Sequence, residues 1–464
     1  MGRKVLADIA ILSGKGLHTG REIEVKLIPV EGNHGIKFKR TDIEPAVTIP
    51  ADANYVVATN RSTTIGTAEV NITTIEHLLA ALAGLEVDNV MIEVNGPEIP
   101  ILDGSAKPFV EAIKRVGFHD AEDDGREVFV IEEPIVLKDE TTGSELIAIP
   151  SDKFELNVII DFPNSTVEEQ TAIFCAGEDF EKEIAACRTF VFTNELIYLY
   201  DNGLIKGGDL ENAIVLAEPG LTQERLNELA TKFNLAQRVL SDDKVLNENK
   251  LFFPNELARH KLLDLIGDLS LVGRPIQGKI IAVKPGHKIN TEFARLLKKK
   301  LADQRKLKGK PTYDPDKVPV LDVEGIKKML PHRYPFLMVD KIIDKSESHV
   351  VGVKNVTYNE QLFQGHFPGN PVFPGVLQME ALAQTGGILA LSTVEEPHLW
   401  DTYFIKMENV KFKHKVVPGD TLLLKMELLS PIRRGIVHMQ GTAYVGNKIV
   451  SEGELTAQII KRQA

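Results

Sequence analysis

Residues 376–394 read VLQMEALAQTGGILALSTV. Apart from Gln378, Glu380, Gln384 and a few small polar residues, this run is apolar on every side of a helix. Such a helix belongs at the centre of a domain. The runs at 341–345, 349–356, 403–413, 421–429, 436–445 and 448–458 have the residue types of strands, so a sheet wrapped around the helix is expected. A glutamate inside a buried helix needs a reason, because burying a lone carboxylate is costly and raises its pKa. Just upstream stand Gly365-His366-Phe367-Pro368-Gly369 and Phe373-Pro374-Gly375-Val376. A histidine on this Gly/Pro loop and Glu380 could form an acid–base pair, with the amides of Gly375 and Val376 at the helix start polarising a carbonyl. A packed loop histidine and a glutamate satisfied by local amides would explain the same residues.

Towards the N-terminus, residues 298–319 read KKKLADQRKLKGKPTYDPDKVP. Basic residues close a helix, and Gly and three prolines follow with few apolar residues, which is linker chemistry. The expected linker is 306–319 and the rear domain 320–464. A second division falls at 117–126, GFHDAEDDGR. Before it come strand-like runs at 22–28 and 89–94 and helical runs at 75–85 and 106–116. After it come strand-like runs at 127–136 and 154–162 and helical runs at 255–269 and 290–305. The expected class is α+β, with subdomains 1–125 and 126–305 forming the front. The length of 464 residues agrees, predicting about three domains at roughly 150 residues each.

Hydrophobic residues at 43% and charged residues at 26% exclude a largely disordered or collagen-like chain. The two cysteines, Cys175 and Cys187, cannot supply a disulfide framework or a four-cysteine zinc site, and their scarcity suits a reducing compartment. No run of about 18 apolar residues appears, so no transmembrane segment is expected. The first residues do not read as a secretory signal, and a cytoplasmic protein is expected. The net charge is −12, unevenly spread. From Val320 onward 16 Lys+Arg nearly balance 15 Asp+Glu, and residues 306–319 hold four Lys and two Asp, so the first 305 residues carry −15. That acidic front argues against nucleic-acid binding. The near-neutral rear can present a local basic patch to an acidic partner.

In the front, His260 and Asp264 stand at i and i+4 of the run ELARHKLLDLIGDL, with Asp268 one step further along the same stripe. Imidazole and carboxylate at this spacing can supply two zinc ligands. An exposed ion pair or helix-stabilising hydrogen bond fits the spacing equally. Glu76-His77 opens another helical run, and a Glu beside a His can divide labour between base and ligand. Pro285-Gly286-His287-Lys288 reads as a loop presenting an imidazole. Two His and one Asp would leave a fourth position open, the catalytic pattern of zinc. Asp268 near His287 would favour the protonated imidazole, which suits a general acid. His18, among Gly14, Gly16 and Gly20, reads either as a neighbour of the site or as ordinary loop packing. Cys187 reads as a buried small hydrophobe.

The motifs GKGLHTG at 14–20, TIEHLLAALAGLEVDN at 74–89, PEIPILDGSAKPF at 97–109, CRTF at 187–190, RHKLLDLIGDL at 259–269 and GHKIN at 286–290 extend this pattern. Over residues 5–301 the chain resembles the zinc-dependent UDP-3-O-(3-hydroxyacyl)-N-acetylglucosamine deacetylases of lipid A biosynthesis. The resemblance implies two α+β layers whose sheets sandwich the helices. It implies Zn2+ on His77, His260 and Asp264, Glu76 as general base, and His287 as acid supported by Asp268. It also implies Thr189 at the oxyanion and Phe190 and Lys261 at the substrate. A hydrophobic passage for the acyl chain is expected near residues 190–200.

LPHRYPFLMVD at 330–340, GHFPGNPVFPGVLQMEALAQ at 365–384 and RRG at 433–435 resemble the 3-hydroxyacyl-acyl-carrier-protein dehydratases of the hot-dog fold, over 320–462. The resemblance implies His366 and Glu380 as catalytic residues meeting across a dimer interface, in a homo-oligomer that is a dimer or a trimer of dimers. The implied partner is acyl carrier protein, an acidic protein. Lys406, Lys411, Lys413, Lys415, Arg433 and Arg434 are candidates for its docking patch, or simply the solvent face of a charged strand. The leading expectation is a bifunctional enzyme. The alternatives are that one half is catalytically silent, serving as an oligomerisation or acyl-sensing module, and that the zinc site processes a different N-acetyl sugar.

Overall fold

The computed structural model describes residues 4–120, 127–162, 165–196, 206, 212–232, 245–246 and 250–462. Two units divide the chain, Met1–Ala302 and Asp303–Ala464.

In the front unit, helix α1 (Glu76–Gly84) packs against helix α3 (Glu256–Ser270), with α2 (Lys107–Val116) beside α1. Both α1 and α3 are apolar enough to be buried nearly all round, so neither shows the single wet face of a surface helix. They approach closely because position 267 is glycine: a Cβ there would stand 2.1 Å from the Glu76 carbonyl oxygen. A five-stranded sheet orders Ala10–Lys15, Glu22–Pro29, Val90–Val94, Ile36–Arg40 and Val47–Pro50. In Glu22–Pro29, Ile23, Val25 and Leu27 alternate into the core, the period of a half-buried strand. A second sheet orders Ile135–Asp139, Ser144–Ile149, Ile276–Val283, Phe154–Ile160 and Gln170–Cys175, with Phe129–Val130 also on Ile276–Val283. The strand expected over 127–136 is split. Pro134, which has no N–H to give, stands between Phe129–Val130 and Ile135–Asp139. One hydrophobic core runs from Leu6 to Leu301 and includes residues of both sheets.

Helix α4 (His287–Lys306) begins three residues earlier than expected. His287 is its first residue and not a loop residue. The Asn290 N–H reaches the Gly286 carbonyl at 2.9 Å, and the Thr291 hydroxyl reaches the His287 carbonyl at 2.8 Å, closing the first turn.

The rear unit wraps a six-stranded antiparallel sheet around α5 (Gly375–Leu391), the hot-dog arrangement. The strand order is Lys341–Lys345, His349–Asn355, Thr421–Leu428, Ile436–Val445, Lys448–Lys461 and Trp400–Phe412. The helix is buried from Gln378 onward, apart from the half-buried Glu380 and Ala383. Its buried amide, Gln384, is satisfied: it accepts from the Met338 N–H and donates to the Phe336 carbonyl and to Glu380. Trp400–Phe412 is an edge strand of thirteen residues, and Tyr403, Ile405, Met407 and Phe412 stand exposed on it. The proline-rich 306–319 stretch lies on this unit: Leu307 and Tyr313 pack with Val353, Leu423 and Tyr444, and Lys310 donates to Asn447.

Candidate active sites

One face of α3 carries His260, Asp264 and Asp268, all buried, and that face meets the start of α1. The crossing at Gly267 brings His77 to them. Asp264 Oδ1 lies 3.4 Å from His260 Nε2 and 3.6 Å from His77 Nε2. Asp264 Oδ1 and His77 Nδ1 are buried without a hydrogen-bond partner among the described residues. Tetrahedral bonds of about 2.0–2.1 Å place ligand atoms about 3.3 Å apart, so these three side chains fit a zinc-sized ion. The second nitrogen of His260 is fixed: Nδ1 donates to the Cys187 carbonyl at 3.1 Å, leaving Nε2 for a ligand. Burial, aided by His77 and Lys261, holds His260 down to about 3, against the pull of Asp264, so the imidazole stays neutral, the form that binds metal. Burial opposes ionisation of Asp264 too, but its contacts with the His260 imidazole, the Lys261 ammonium and His287 outweigh it and hold the carboxyl well below its usual range.

Glu76 opens α1, and its Oε2 accepts the Thr63 N–H at 3.0 Å. Burial raises its carboxyl above the ordinary value, with His287 and His77 pulling the other way. His287 Nδ1 lies 3.1 Å from Asp268 Oδ2, and His287 Nε2 lies 3.9 Å from Asp264 Oδ2. Burial alone would discharge His287, and a helix N-terminus disfavours a cation. The carboxylates of Asp268 and Asp264 prevail and raise it to about 9. The Thr63 hydroxyl donates to Asp268 Oδ1 at 2.5 Å and the Asn290 amide to Oδ2 at 3.0 Å.

A cavity of about 350 Å³ opens onto part of this cluster, with Asp268, Thr63 and Asn290 behind its wall. Glu76, His77, His260, Asp264 and His287 all face it, and so do Thr189, Phe190 and Lys261. Lys261 Nζ donates to Asp264 Oδ2 at 2.8 Å and sits 5.4 Å from the centre of the Phe190 ring. Phe162 meets Phe190 and Phe192 edge to face, each at 5.6 Å, and Leu196 and Val215 extend this apolar wall. The acyl passage was expected over 190–200, of which 197–200 lie outside the described residues. His18 also faces the cavity. Burial, then Glu256, pushes the Cys187 thiol up to about 12, so it stays protonated. Arg188 and Glu256, both buried, pair at 2.9 Å and tie this stretch to the start of α3.

In the rear unit a cavity of about 290 Å³ runs beside α5. Glu380, His332, Phe336, Gln384, Tyr403 and Phe404 line it, whereas His366, Gly375 and Val376 do not. His366 Nδ1 donates to the Val372 carbonyl at 2.8 Å, and its ring stacks on Phe367. The imidazole that meets Glu380 within one chain is that of His332, whose Nε2 lies 3.6 Å from Glu380 Oε1. Burial lowers the His332 pKa despite the Glu380 charge. Gly375 and Val376 form the N-terminal turn of α5, where amides have no intrahelical acceptor. Of the candidate docking cations, Lys406 pairs with Glu408, while Lys411 and Lys413 pair with Glu452. Lys415, Arg433 and Arg434 are exposed and make no ion pair among the described residues.

Sequence reasoning missed Thr63, the Cys187 carbonyl and His332. Only His332 carried a signal, as the histidine inside LPHRYPFLMVD.

A family model described as UDP-3-O-acyl N-acetylglycosamine deacetylase matches residues 3–232 and 225–299, and one described as a FabA-like domain matches 330–454. A protein of Bacteroides thetaiotaomicron described as bifunctional enzyme LpxC/FabZ is 48% identical over 461 residues, covering 99% of both chains. Porphyromonas gingivalis has a protein of the same description, 46% identical over 461 residues with the same coverage. A UDP-3-O-acyl-N-acetylglucosamine deacetylase of Myxococcus xanthus is 39% identical over 294 residues, covering 63% of this chain and 85% of its own. Among the described residues no helix is long and apolar enough to cross a membrane.

Proposed function

The chain belongs to the bifunctional LpxC/FabZ family, and from that premise we propose that it deacetylates a UDP-3-O-(3-hydroxyacyl)-N-acetylglucosamine in its front half and dehydrates a 3-hydroxyacyl-acyl-carrier protein in its rear half. The observation that carries the front reading is the buried His77–His260–Asp264 cluster beside Glu76 and the His287–Asp268 pair. Zinc on that cluster would supply a Lewis acid for the acetamide carbonyl. Glu76, with its raised proton affinity, accepts a proton from the attacking water. His287 is charged at neutral pH, and its Nδ1 is engaged by Asp268, so Nε2 gives the proton to the departing amine nitrogen. The Thr189 hydroxyl, on the same cavity, suits the developing oxyanion. Water thus adds to the carbonyl carbon, the C–N bond breaks, and acetate and a free amine result. Phe162, Phe190 and Phe192 offer the acyl chain an apolar wall.

In the rear, His366 takes the α-proton of the thioester and Glu380 protonates the β-hydroxyl, which leaves as water. The amides of Gly375 and Val376 draw charge onto the thioester oxygen. The separation of His366 from the Glu380 cavity within one chain supports a homodimer in which each subunit lends His366 to its partner. The exposed apolar residues of Trp400–Phe412 support the same reading, since a bare edge of that kind invites cover. Lys415, Arg433 and Arg434, which are exposed and make no ion pair among the described residues, suit an acidic carrier protein.

The test is metal analysis with two assays on full-length chains. His77→Ala should lose zinc and deacetylation but keep dehydration, and His366→Ala the reverse. A wild-type chain lacking either activity would overturn the corresponding half of the reading.

A further inference from the structure

Glu98 is a fully buried carboxylate, and no cationic side chain among the described residues pairs with it. Its closest hydrogen-bond partners come from one loop. Oε1 accepts the His18 N–H at 2.8 Å. Oε2 accepts the Thr19 N–H at 3.0 Å and the Thr19 hydroxyl at 2.8 Å. The Thr74 hydroxyl reaches Oε1 at 3.4 Å. Burying a carboxylate is tolerable only when such donors replace water, so the loop and Glu98 hold each other in place. The seating is tight: a Cβ on Gly16 would stand 2.3 Å from Glu98 Oε2.

The backbone at Glu98 is fixed in turn. It bridges to Thr73, and the Ile99 N–H donates to the Thr73 carbonyl at 3.0 Å. Thr74 follows, and Glu76 and His77 open α1 two residues on. One carboxylate therefore ties the 16–19 loop to the segment that delivers the catalytic base and a metal ligand. Glu98 does not line the cavity, but Leu17, His18 and Thr74 do. The cavity wall divides by chemistry. Phe162, Phe190, Phe192 and Leu196 suit an acyl chain, whereas His18, Arg61, Ser62 and Thr74 suit hydroxyl and amide groups.

We propose that Glu98 is a positioning residue: it holds the 16–19 loop as the wall against which the sugar of the nucleotide-sugar substrate binds. This rests on the deacetylase reading above. Its signature is weaker substrate binding without loss of the chemical step, because the loop carries none of the proton-transfer groups.

The test uses the full chain. Glu98→Gln keeps the size but turns an amide N–H towards donors. Thr19→Val removes a single donor. The readouts are kcat and KM for the UDP-3-O-acyl-N-acetylglucosamine, zinc content, and dehydration rate as a measure of chain integrity. A hydrogen bond to a charged group predicts a KM rise of about tenfold for Glu98→Gln and about threefold for Thr19→Val, with kcat within about twofold. Zinc content and dehydration stay as in the wild type. Unchanged KM in both variants overturns the assignment, as does a joint loss of zinc and kcat at unchanged KM. If Glu98→Gln does not accumulate folded, Thr19→Val decides by the same split. Absence of deacetylation in the unaltered chain would overturn the functional reading instead.

Discussion

Gly267 of α3 sits so close to Glu76 of α1 that a Cβ on the glycine would stand 2.1 Å from the Glu76 carbonyl oxygen. No flexible side chain is there to give way, because the obstacle is backbone. Gly267→Ala must therefore push α1 from α3 and carry His77 away from His260 and Asp264. We expect a loss of about 2 kcal/mol in front-unit stability, the range for overpacked cores, together with weaker zinc retention. Thermal unfolding and metal analysis check both effects, and dehydration should be untouched.

With Glu76 and His287 as the proposed base and acid, the front site should show a bell-shaped pH profile. Activity needs Glu76 deprotonated, and burial raises that carboxyl, so the acidic limb should lie above the ordinary carboxylate value. Activity also needs His287 protonated and is lost as pH rises through its pKa of about 9, with bound metal, itself a cation, moving that limb lower. Asp268 is the largest cause raising His287. Asp268→Asn should therefore shift the basic limb to lower pH and leave the acidic limb nearly in place. A basic limb that stays put would remove His287 from the role of acid.

Two inactive chains should restore each other. Mixing His366→Ala with Glu380→Gln chains, after dissociation and reassociation, yields dimers in which one site pairs an intact His366 with an intact Glu380. Random pairing puts half of the dimers in this class, each with one working site of two, so dehydration should return to roughly a quarter of wild type. No recovery would mean that each chain completes its own site.

The 306–319 stretch contributes to the rear fold through Leu307 and Tyr313. A rear unit begun at Val320 lacks both contacts and bares Val353, Leu423 and Tyr444. Partial burial of two large side chains is worth about 2 kcal/mol, so this fragment should unfold at lower denaturant than one begun at Asp303. Equal midpoints would show that the contacts carry no stability.

Periodicity and turn chemistry located the α5 helix and its six strands to within a few residues, because a helix apolar on all sides has few places to go. The stripe His260, Asp264, Asp268 was legible for the same reason, as helical spacing puts the three on one face. Glu76 and His77 could not be joined to that stripe by spacing, since the contact depends on Gly267 fitting under α1. Resemblance supplied that link. His287 was misread as a loop residue because Pro285 and Gly286 resemble a turn, yet they also make a good helix start. Thr63 was invisible: its decisive contact to Glu76 is through the backbone N–H, which every residue but proline has. The partner of Glu380 within the chain, His332, is 48 residues away, and only the fold brings them to 3.6 Å.

If the exposed edge strand Trp400–Phe412 seats a second copy, as proposed, the two activities respond differently to dilution. A dehydratase site built from two chains disappears as dimers separate, so its specific activity should fall with protein concentration. The front cavity is lined entirely by residues of the front unit and has no such dependence. The ratio of the two rates in one sample would then report the fraction of chains assembled, with no separate measure of mass.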